Sequence, residues 1–249
     1  MLEINNISKS FDGLIALNGV NMNLQKNKIS MIIGPNGSGK TTLLNIISGN
    51  YQSDTGKVYF NDQNITNLPP YKIYSIGIVR TFQIPLPFIN LSVMENLLNA
   101  CRENPGENFL KAPIKNMWKE KETQFVKKAL TISKLVKLDH LLEEPASNLS
   151  GGQMKLLEIG RALMSDAKVI MLDEPIAGVN PTLAHDLFKK IRELRDSLNI
   201  TFILIEHRLE IALKYVDYVF AMDKGKILTE GKPKKVISDP KVIESYLGT

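Results

Sequence analysis

Three short stretches of this 249-residue chain carry residue types that could do chemistry. The first, Gly34–Thr41, has the pattern G-x-x-x-x-G-K-T, in which closely spaced glycines let backbone N–H groups turn inward around phosphate oxygens. Lys40 would then bridge the β- and γ-phosphates, and the Thr41 hydroxyl would bind Mg²⁺. The first stretch therefore predicts a nucleoside triphosphate site.

The second stretch, Val169–Glu174, is an apolar run that ends in two acids. A carboxylate at the end of a buried strand, here Asp173, can hold magnesium through its water shell. Glu174 follows it and can orient and polarise the water that attacks the γ-phosphate. Two acids after a strand can also be its solvated end, an alternative that the glycine-rich stretch in the same chain makes weaker.

The third stretch, Leu149–Gln153, begins a helix with a serine and two glycines. The N-terminus of a helix attracts anions, so the chain carries a second anion-binding terminus besides the one after Gly34–Thr41. One nucleotide cannot easily occupy both on the same subunit. The simplest interpretation is that Ser150, Gly151 and Gly152 bind the γ-phosphate of an ATP held by another subunit, in a head-to-tail dimer around two nucleotides.

Strands and helices must bring these stretches to one place. Ile29–Ile33 reads as a strand that leads into the glycines, and Thr41–Ser48 reads as a helix that follows them. Strand, glycine loop and helix is the order that a phosphate-binding loop requires. Val169–Leu172 and Ile200–Ile205 are continuous apolar runs, which are typical of parallel strands covered on both faces.

Other segments complete the predicted fold. Leu2–Phe11, Asn21–Leu24 and Gly56–Phe60 indicate a small antiparallel sheet. Ser92 and Glu95 have the spacing of a capping box at the start of a helix. Asn180 is predicted to cap a helix that starts at Pro181, with an apolar face packed in the core and formed by Leu183, Leu187, Ile191, Leu194 and Leu198.

These elements predict an α/β fold: a P-loop NTPase core with a mostly parallel sheet, a small antiparallel β subdomain and an inserted α-helical subdomain. We expect one domain, with the core formed by residues 1–83 and 166–249 and the helical insert by residues from about 84 to 165. Within the insert, Glu103–Trp118 is polar and contains two prolines, so we expect a loop or a weakly ordered arm.

Composition narrows the class of protein. Apolar residues make up 43% and charged residues 23%, and no apolar run approaches the roughly 18 residues that span a bilayer. Met1–Ile7 lacks the basic start and apolar core of a signal peptide, so we expect a cytoplasmic protein. Cys101 is the only cysteine, which excludes an internal disulfide. The net charge of +5 comes with scattered lysines, so we expect no nucleic-acid partner.

The Leu-Ser-Gly-Gly-Gln run at Leu149–Gln153 resembles the signature of the ATP-binding subunits of ABC transporters, and the resemblance covers essentially the whole chain. It implies roles for three further residues. Phe11 matches the aromatic residue that stacks on adenine, and His207 matches the histidine that contacts the γ-phosphate. Gln83 matches the glutamine that reaches the magnesium and the attacking water and links the core to the helical insert.

One loop departs from the commonest family pattern. Where that family often has Ser-Ala-Leu-Asp, the chain has Ile176–Asn180, so the neutral Asn180 replaces an aspartate. Its Ala-Gly-x-Asn-Pro pattern is similar to the branch that imports branched-chain amino acids. Four further segments are similar to the same branch: Gly77–Gln83, Met154–Leu163, Ile205–His207 and Ser238–Gly248.

The resemblance implies an ATP-hydrolysing subunit of a membrane importer, with ATP and Mg²⁺ as cofactors, that energises uptake of branched-chain or other hydrophobic amino acids. Its partners would be a second ATP-binding subunit, the same chain or a paralogue, two membrane permease subunits and, indirectly, an external substrate-binding protein. It would lie peripherally on the inner face of the cell membrane. The alternatives are the ATPase of a lipid or lipopolysaccharide exporter and a soluble ABC ATPase that transports nothing.

The predicted site residues fall into three sets. The catalytic set is Lys40, Gln83, Glu174 and His207, and the metal set is Thr41, Gln83 and Asp173. The nucleotide-binding set is Phe11, Gly34, Pro35, Asn36, Gly37, Ser38, Gly39, Lys40, Thr41 and Thr42, with Ser150, Gly151, Gly152 and Gln153.

Overall fold

A computed structural model describes residues 1–81, 87–102 and 118–247 of the chain. Gln83 and nearly all of the predicted arm therefore lie outside the described residues. The chain divides into two compact units, of which the first comprises Met1–Gln83, Lys168–Ala177 and Ile191–Thr249. The second comprises Ile84–Ala167 and Gly178–Lys190, so it includes a segment that the sequence analysis assigns to the core. The limits of the insert stay a prediction.

The strands of the first unit form two sheets. In chain order the strands are β1 (Leu2–Phe11), β2 (Leu14–Leu24), β3 (Ile29–Ile33), β4 (Thr55–Phe60), β5 (Gln63–Asn64), β6 (Ile78–Arg80), β7 (Val169–Asp173), β8 (Thr201–Ile205), β9 (Tyr218–Asp223) and β10 (Lys226–Gly231). One sheet has the order β2-β1-β4-β5 and the other β10-β9-β3-β8-β7-β6.

The helices in the described residues are α1 (Lys40–Ile47), α2 (Pro70–Ser75), α3 (Val93–Asn99), α4 (Lys119–Leu135), α5 (Gly151–Met164), α6 (Pro181–Leu198), α7 (Leu209–Ala212), α8 (Pro233–Ile237) and α9 (Pro240–Leu247). Of these, α3, α4 and α5 belong to the second unit, and the residues of α6 are divided between the two.

The smaller sheet is antiparallel, as the alternating segments predict. Its second strand starts at Leu14, seven residues before the predicted start. The reason is the tight turn at Asp12 and Gly13, whose φ angles of 46° and 88° let the chain reverse directly from β1 into β2. This turn leaves Leu14 exposed at the tip of the hairpin.

The larger sheet is parallel except for the hairpin of β9 and β10. Every residue of β3, β7 and β8 is buried, which confirms the interpretation of the continuous apolar runs in β7 and β8. Ile205 of β8 is the register partner both of Ile32 in β3 and of Asp173 in β7. The segments that follow these three strands therefore meet at one edge of the sheet, where ligands of open α/β sheets bind.

Helix packing in the second unit depends on one small residue. A Cβ at Gly160 of α5 would lie 2.9 Å from Leu97 Cδ2 of α3 and 3.5 Å from Val136 Cγ2 at the end of α4. Glycine therefore lets α5 approach its two neighbours closely, and leucine or valine in its place would force them apart. The start of α3 agrees with the sequence analysis, because the capping box of Ser92 and Glu95 is present.

Helix α6 starts as predicted, because Asn180 Oδ1 accepts a hydrogen bond from Leu183 N at 2.9 Å. The predicted apolar face is wrong at its two ends, since Leu183 is 44% and Leu198 42% exposed, while Leu187, Ile191 and Leu194 are buried. Residues at the ends of a helix have neighbours on one side only. An apolar periodicity can therefore extend beyond the part of the helix that packs against other elements. At 18 residues α6 is the longest described helix, yet no helix in the described ranges is long and apolar enough to cross a bilayer.

Candidate functional site

The loop between β3 and α1 can exist only with glycine at two positions. Gly34 has a φ of +151°, and a Cβ there would lie 2.1 Å from the carbonyl oxygen of Met222. Gly39 has a φ of +101°, and its Cβ would lie 2.5 Å from the carbonyl oxygen of Ala16. Backbone crowding and the left-handed conformation therefore both exclude a side chain. The loop leads directly into the N-terminus of α1, where anions are favoured.

Lys40 lies at the start of α1 and folds back into this loop. Its Nζ donates hydrogen bonds to the carbonyl oxygens of Gly34 and Pro35, both at 2.8 Å, and the residue is only 6% exposed. Burial lowers the pKa of the Lys40 ammonium, while the carboxylates of Glu174 and Asp173 oppose that shift. Lys40 Nζ also donates to the Ser38 hydroxyl at 3.4 Å. A buried cation that is held only by neutral oxygens is well placed to bind a phosphate.

An open cleft of about 350 Å³ lies beside the loop. It brings together predicted residues that are far apart in sequence, and three apolar residues that the sequence analysis did not name. Its lining is Phe11, Leu14, Ile15, Ala16, Asn36, Gly37, Gly39, Lys40, Thr41, Thr42, Glu174 and His207.

Two of the three additional residues, Leu14 and Ile15, extend an apolar wall around Phe11. Leu14 is 73% and Ile15 58% exposed, and Phe11 is 37% exposed with its ring edge-on to Tyr51 at a centroid distance of 5.3 Å. Exposed apolar side chains that line a cleft suit a flat aromatic base. The signal in the sequence was the pair of apolar residues directly after the Asp12-Gly13 turn, where a hairpin normally carries polar residues.

Glu174 and His207 form a pair at the edge of the larger sheet. His207 Nε2 lies 3.2 Å from Glu174 Oε1, and the two side chains are 43% and 25% exposed, so water can reach both. Glu174 has a φ of +49°, an unfavourable conformation for a residue with a side chain, and its N–H donates to the carbonyl oxygen of Ile205 at 2.9 Å. The backbone turn directs Glu174 away from the course of β7.

Asp173 has a different environment from its neighbour. Its Oδ2 accepts a hydrogen bond from Arg80 Nη2 at 2.8 Å, and the side chains of the two residues are 10% and 7% exposed. Arg80 also donates to Asn45 Oδ1. The sequence analysis gave Arg80 no role, although a charged residue next to the apolar Ile78 and Val79 was the available signal. The structure thus adds a buried cation to the predicted magnesium side of the site.

The donor set is compatible with magnesium. The described residues hold no group of three or more His, Cys, Asp or Glu side chains that could enclose a metal ion. Mg²⁺ does not require such a group, because it commonly uses one or two protein oxygens and takes its other ligands from phosphates and water. Thr41 in the cleft and the Asp173 carboxylate at its edge supply oxygens of the right kind.

The residues of the third stretch start α5 in the second unit. Ser150 is the N-cap: its Oγ accepts from Gln153 N at 3.3 Å, and Gln153 Oε1 accepts from Ser150 N at 2.8 Å. Ser150 and Gly151 are exposed, and a Cβ at Gly151 would meet nothing within 4 Å. This helix start is therefore capped by its own side chains and accessible. The remaining predicted residue, Gln83, lies outside the described residues.

Comparison with known proteins gives a family for this arrangement. Residues 17–177 match the family described as ABC transporter, and residues 226–249 match the one described as branched-chain amino acid ATP-binding cassette transporter. A probable branched-chain amino acid transport ATP-binding protein of Archaeoglobus fulgidus is 49% identical over 248 residues, which cover 100% of this chain and 95% of the relative.

Two further known proteins are similar to this chain over its whole length. A high-affinity branched-chain amino acid transport ATP-binding protein of Pseudomonas aeruginosa is 36% identical, with 100% of this chain and 98% of the relative covered. The crystal structure of the ADP conformation of an ATP-binding cassette of an ABC transporter superimposes with a TM-score of 0.87 at 49% identity, covering 100% of this chain and 99% of that one.

Proposed function

This chain belongs to the ABC transporter family, and we propose that it is the ATP-hydrolysing subunit of an importer of branched-chain or other hydrophobic amino acids. Membership of the family implies ATP hydrolysis. The names of the relatives and the match over residues 226–249 support the transported class, and they favour an amino-acid importer over the lipid-exporter alternative.

We assign ATP binding to the cleft of the first unit. The adenine would lie against Phe11 and the exposed apolar side chains of Leu14 and Ile15, and the phosphates would lie in the loop of residues 34–39. Lys40 would give up its contacts with the loop carbonyls in exchange for charged phosphate oxygens. That exchange is favourable because a hydrogen bond between two charged groups is stronger than one to a neutral carbonyl.

The single observation that carries the proposed hydrolysis is the Glu174–His207 pair at 3.2 Å. In our mechanism a water molecule attacks the γ-phosphorus, the new bond forms between that oxygen and phosphorus, and the bond to the ADP oxygen breaks. Glu174 orients the water and accepts its proton. His207 holds the Glu174 carboxylate in place through Nε2 and faces the γ-phosphate. The products are ADP and inorganic phosphate.

We also propose a magnesium requirement. Thr41 and Asp173 would hold the ion, together with Gln83 as the family resemblance implies. The ion would neutralise charge on the phosphate oxygens during transfer. Arg80 binds one carboxylate oxygen of Asp173, so Asp173 would bind the ion only in the orientation in which Arg80 holds it.

Transport requires partners that we infer from the family. Two copies, or this chain and a paralogue, would pair head to tail so that the Ser150 helix start of one subunit contacts the ATP held by the other. Two membrane permeases would bind the ATPase pair and receive the amino acid from an external binding protein. The chain would thus act at the inner face of the membrane. The permeases and the binding protein, rather than this chain, would select the transported molecule.

The test is a comparison of turnover and binding in one variant. We expect Glu174→Gln to lower kcat for ATP hydrolysis by about 10²- to 10⁴-fold, because the amide cannot accept the proton of the attacking water. Its Kd for ATP should change little, since Glu174 is not in the phosphate loop. Glu120→Gln, at an exposed position in the first turn of α4, serves as the control and should retain wild-type turnover. Wild-type turnover in Glu174→Gln would contradict the mechanism.

A further inference from the structure

Glu206 is a buried acid with no role in the proposed mechanism. It lies between the end of β8 and His207 and is only 3% exposed. Burial raises the pKa of Glu206, and the nearby Glu174 carboxylate raises it further, whereas hydrogen bonds from backbone N–H groups lower it. A carboxylate in such a position is unfavourable unless its oxygens have good hydrogen-bond donors. The identity of those donors is therefore informative.

The two carboxylate oxygens of Glu206 bind two different chain segments. Oε1 accepts a hydrogen bond from the backbone N–H of Ile176 at 2.8 Å. Oε2 accepts one from the backbone N–H of His207 at 3.2 Å, and the N–H of Arg208 also donates to the carboxylate. Ile176 follows Glu174 by two residues. One side chain thus connects the loop after the proposed base to the loop that carries its histidine partner.

Both loops need such a connection. The segment after β7 is tied to β8 through the Glu174 N–H and closes on itself through a bond of 3.0 Å from Ala177 N to the Glu174 carbonyl. Within it Glu174 keeps a positive φ, a conformation that persists only where the surroundings enforce it. His207 lies beyond the last residue of β8, so the ladder of the sheet does not hold its backbone.

We propose that Glu206 is a positioning residue that sets the distance between Glu174 and His207 by holding the backbone of both loops. It touches neither the substrate nor the reacting atoms, and it acts through the pair at 3.2 Å. The inference rests on the proposed function for its catalytic consequence. Its structural part, the tie between Ile176 and His207, does not.

Amide hydrogen exchange in the full-length, nucleotide-free protein tests the structural part. Glu206→Gln keeps the shape but replaces one acceptor oxygen with an NH₂ group, which cannot accept. We expect exchange at Ile176 N–H or His207 N–H to become at least about tenfold faster than in the wild type. Glu210→Gln is the matched control: this side chain is 70% exposed, only four residues away, and its replacement should leave both amides unchanged.

Unchanged protection of both amides in Glu206→Gln would overturn the inference. If Glu206→Gln does not fold, amide exchange in the wild-type protein still tests the inference. Ile176 and His207 lie outside regular secondary structure, and the Glu206 carboxylate accepts the hydrogen bonds of both their N–H groups, so we expect both amides to be protected in the wild type. Exchange at the rate of an unstructured amide at both positions would overturn the inference as well.

A double-mutant cycle tests the catalytic part. In single-turnover experiments we expect Glu206→Gln to lower the rate of hydrolysis about tenfold with the Kd for ATP unchanged. In a His207→Ala background, Glu206→Gln should lower the rate of hydrolysis less than about twofold, because the distance between Glu174 and His207 no longer matters once the imidazole is absent. Equal fold-losses in both backgrounds would mean that Glu206 acts independently of His207 and would overturn the positioning role.

The two experiments separate failure of the inference from failure of the proposed function. If Glu174→Gln retains full turnover, the proposed mechanism is wrong, and the exchange measurement still decides whether the tie exists. If Glu174→Gln is inactive while the cycle for Glu206 and His207 is additive, the mechanism stands and the inference is wrong.

Discussion

At the scale of single residues, two adjacent acids have different surroundings. Asp173 ends β7 with its side chain 10% exposed and bound to Arg80, whereas Glu174 turns away at a positive φ and faces the cleft beside His207. A carboxylate that is hydrogen-bonded to a buried guanidinium is held in one orientation, as a metal ligand must be. A partly solvated carboxylate can meet a water molecule, as a general base must. The change in backbone conformation between the two residues thus separates the two proposed roles.

The Arg80–Asp173 pair should matter for stability. We expect Arg80→Ala to lower the free energy of unfolding by about 3–5 kcal/mol, because it leaves the buried Asp173 carboxylate without its cation. Urea denaturation measures this. Lys189→Ala is the control: Lys189 Nζ lies 3.6 Å from Asp186 Oδ1 with both side chains about 60% exposed, so its loss should change the free energy by no more than about 0.5 kcal/mol. An equal decrease in the free energy of unfolding in the two variants would contradict the prediction that burial makes the Arg80–Asp173 pair important for stability.

At the scale of elements, two helices begin in the same way. α3 and α5 each start with a capping box in which a serine Oγ and the side chain of the residue three positions later satisfy two backbone N–H groups. The box of Ser92 and Glu95 has an acid at the third position, whereas the box of Ser150 and Gln153 is neutral. A neutral box leaves the positive end of the helix dipole available for an external anion such as a phosphate.

The paired boxes allow a matched experiment. Ser92→Ala and Ser150→Ala should each lower the free energy of unfolding by about 1 kcal/mol, since each removes one N-cap. In the Glu174→Gln background, only Ser150→Ala should weaken ATP-dependent dimerisation, because we propose that only Ser150 contacts ATP of the other subunit. Thermal denaturation and sedimentation measure the two effects. Equal dimerisation of both variants would contradict the assignment of α5.

At the scale of the whole molecule, the nucleotide cleft and the α5 start belong to different compact units of the chain. The cleft supplies the phosphate loop, the proposed base and the apolar wall, all within the first unit. The second unit contributes an exposed helix start with a capping box, at which we propose that an anion binds. We infer that two chains are needed to complete each ATP site, which would make hydrolysis conditional on assembly.

Assembly can be measured directly. In Mg-ATP, Glu174→Gln should sediment at twice the monomer mass of 27.9 kDa, because the bound ATP is not hydrolysed and keeps the two chains together. Without nucleotide it should sediment as a monomer. A control variant that also carries Lys40→Ala should stay monomeric in Mg-ATP, since it lacks the cation that binds the phosphates. A monomer at saturating ATP would refute self-pairing of this chain.

Much of the fold could be predicted from the sequence because its signals are local. The burial of β7 and β8 follows from short continuous apolar runs, and the capping box of α3 follows from Ser92 and Glu95 at a spacing of three. Prediction from the sequence was less accurate where the burial of an element depends on its neighbours in the fold. The apolar residues of α6 recur at helical spacing along its whole length, yet Leu183 and Leu198 are exposed. The spacing shows which side of the helix is apolar, but it does not show how far along the helix the neighbouring elements cover that side.

The sequence by itself determined which residues we predict to bind the phosphates, the metal and the water, because those tasks require particular residue types at fixed short spacings. Only the tertiary structure decided how the residues are held. Arg80 is 93 residues from Asp173, and Glu206 is 30 residues from Ile176. Such pairs depend on strand order and register, which follow from many weak contacts summed over the whole sheet, and no spacing along the chain encodes them.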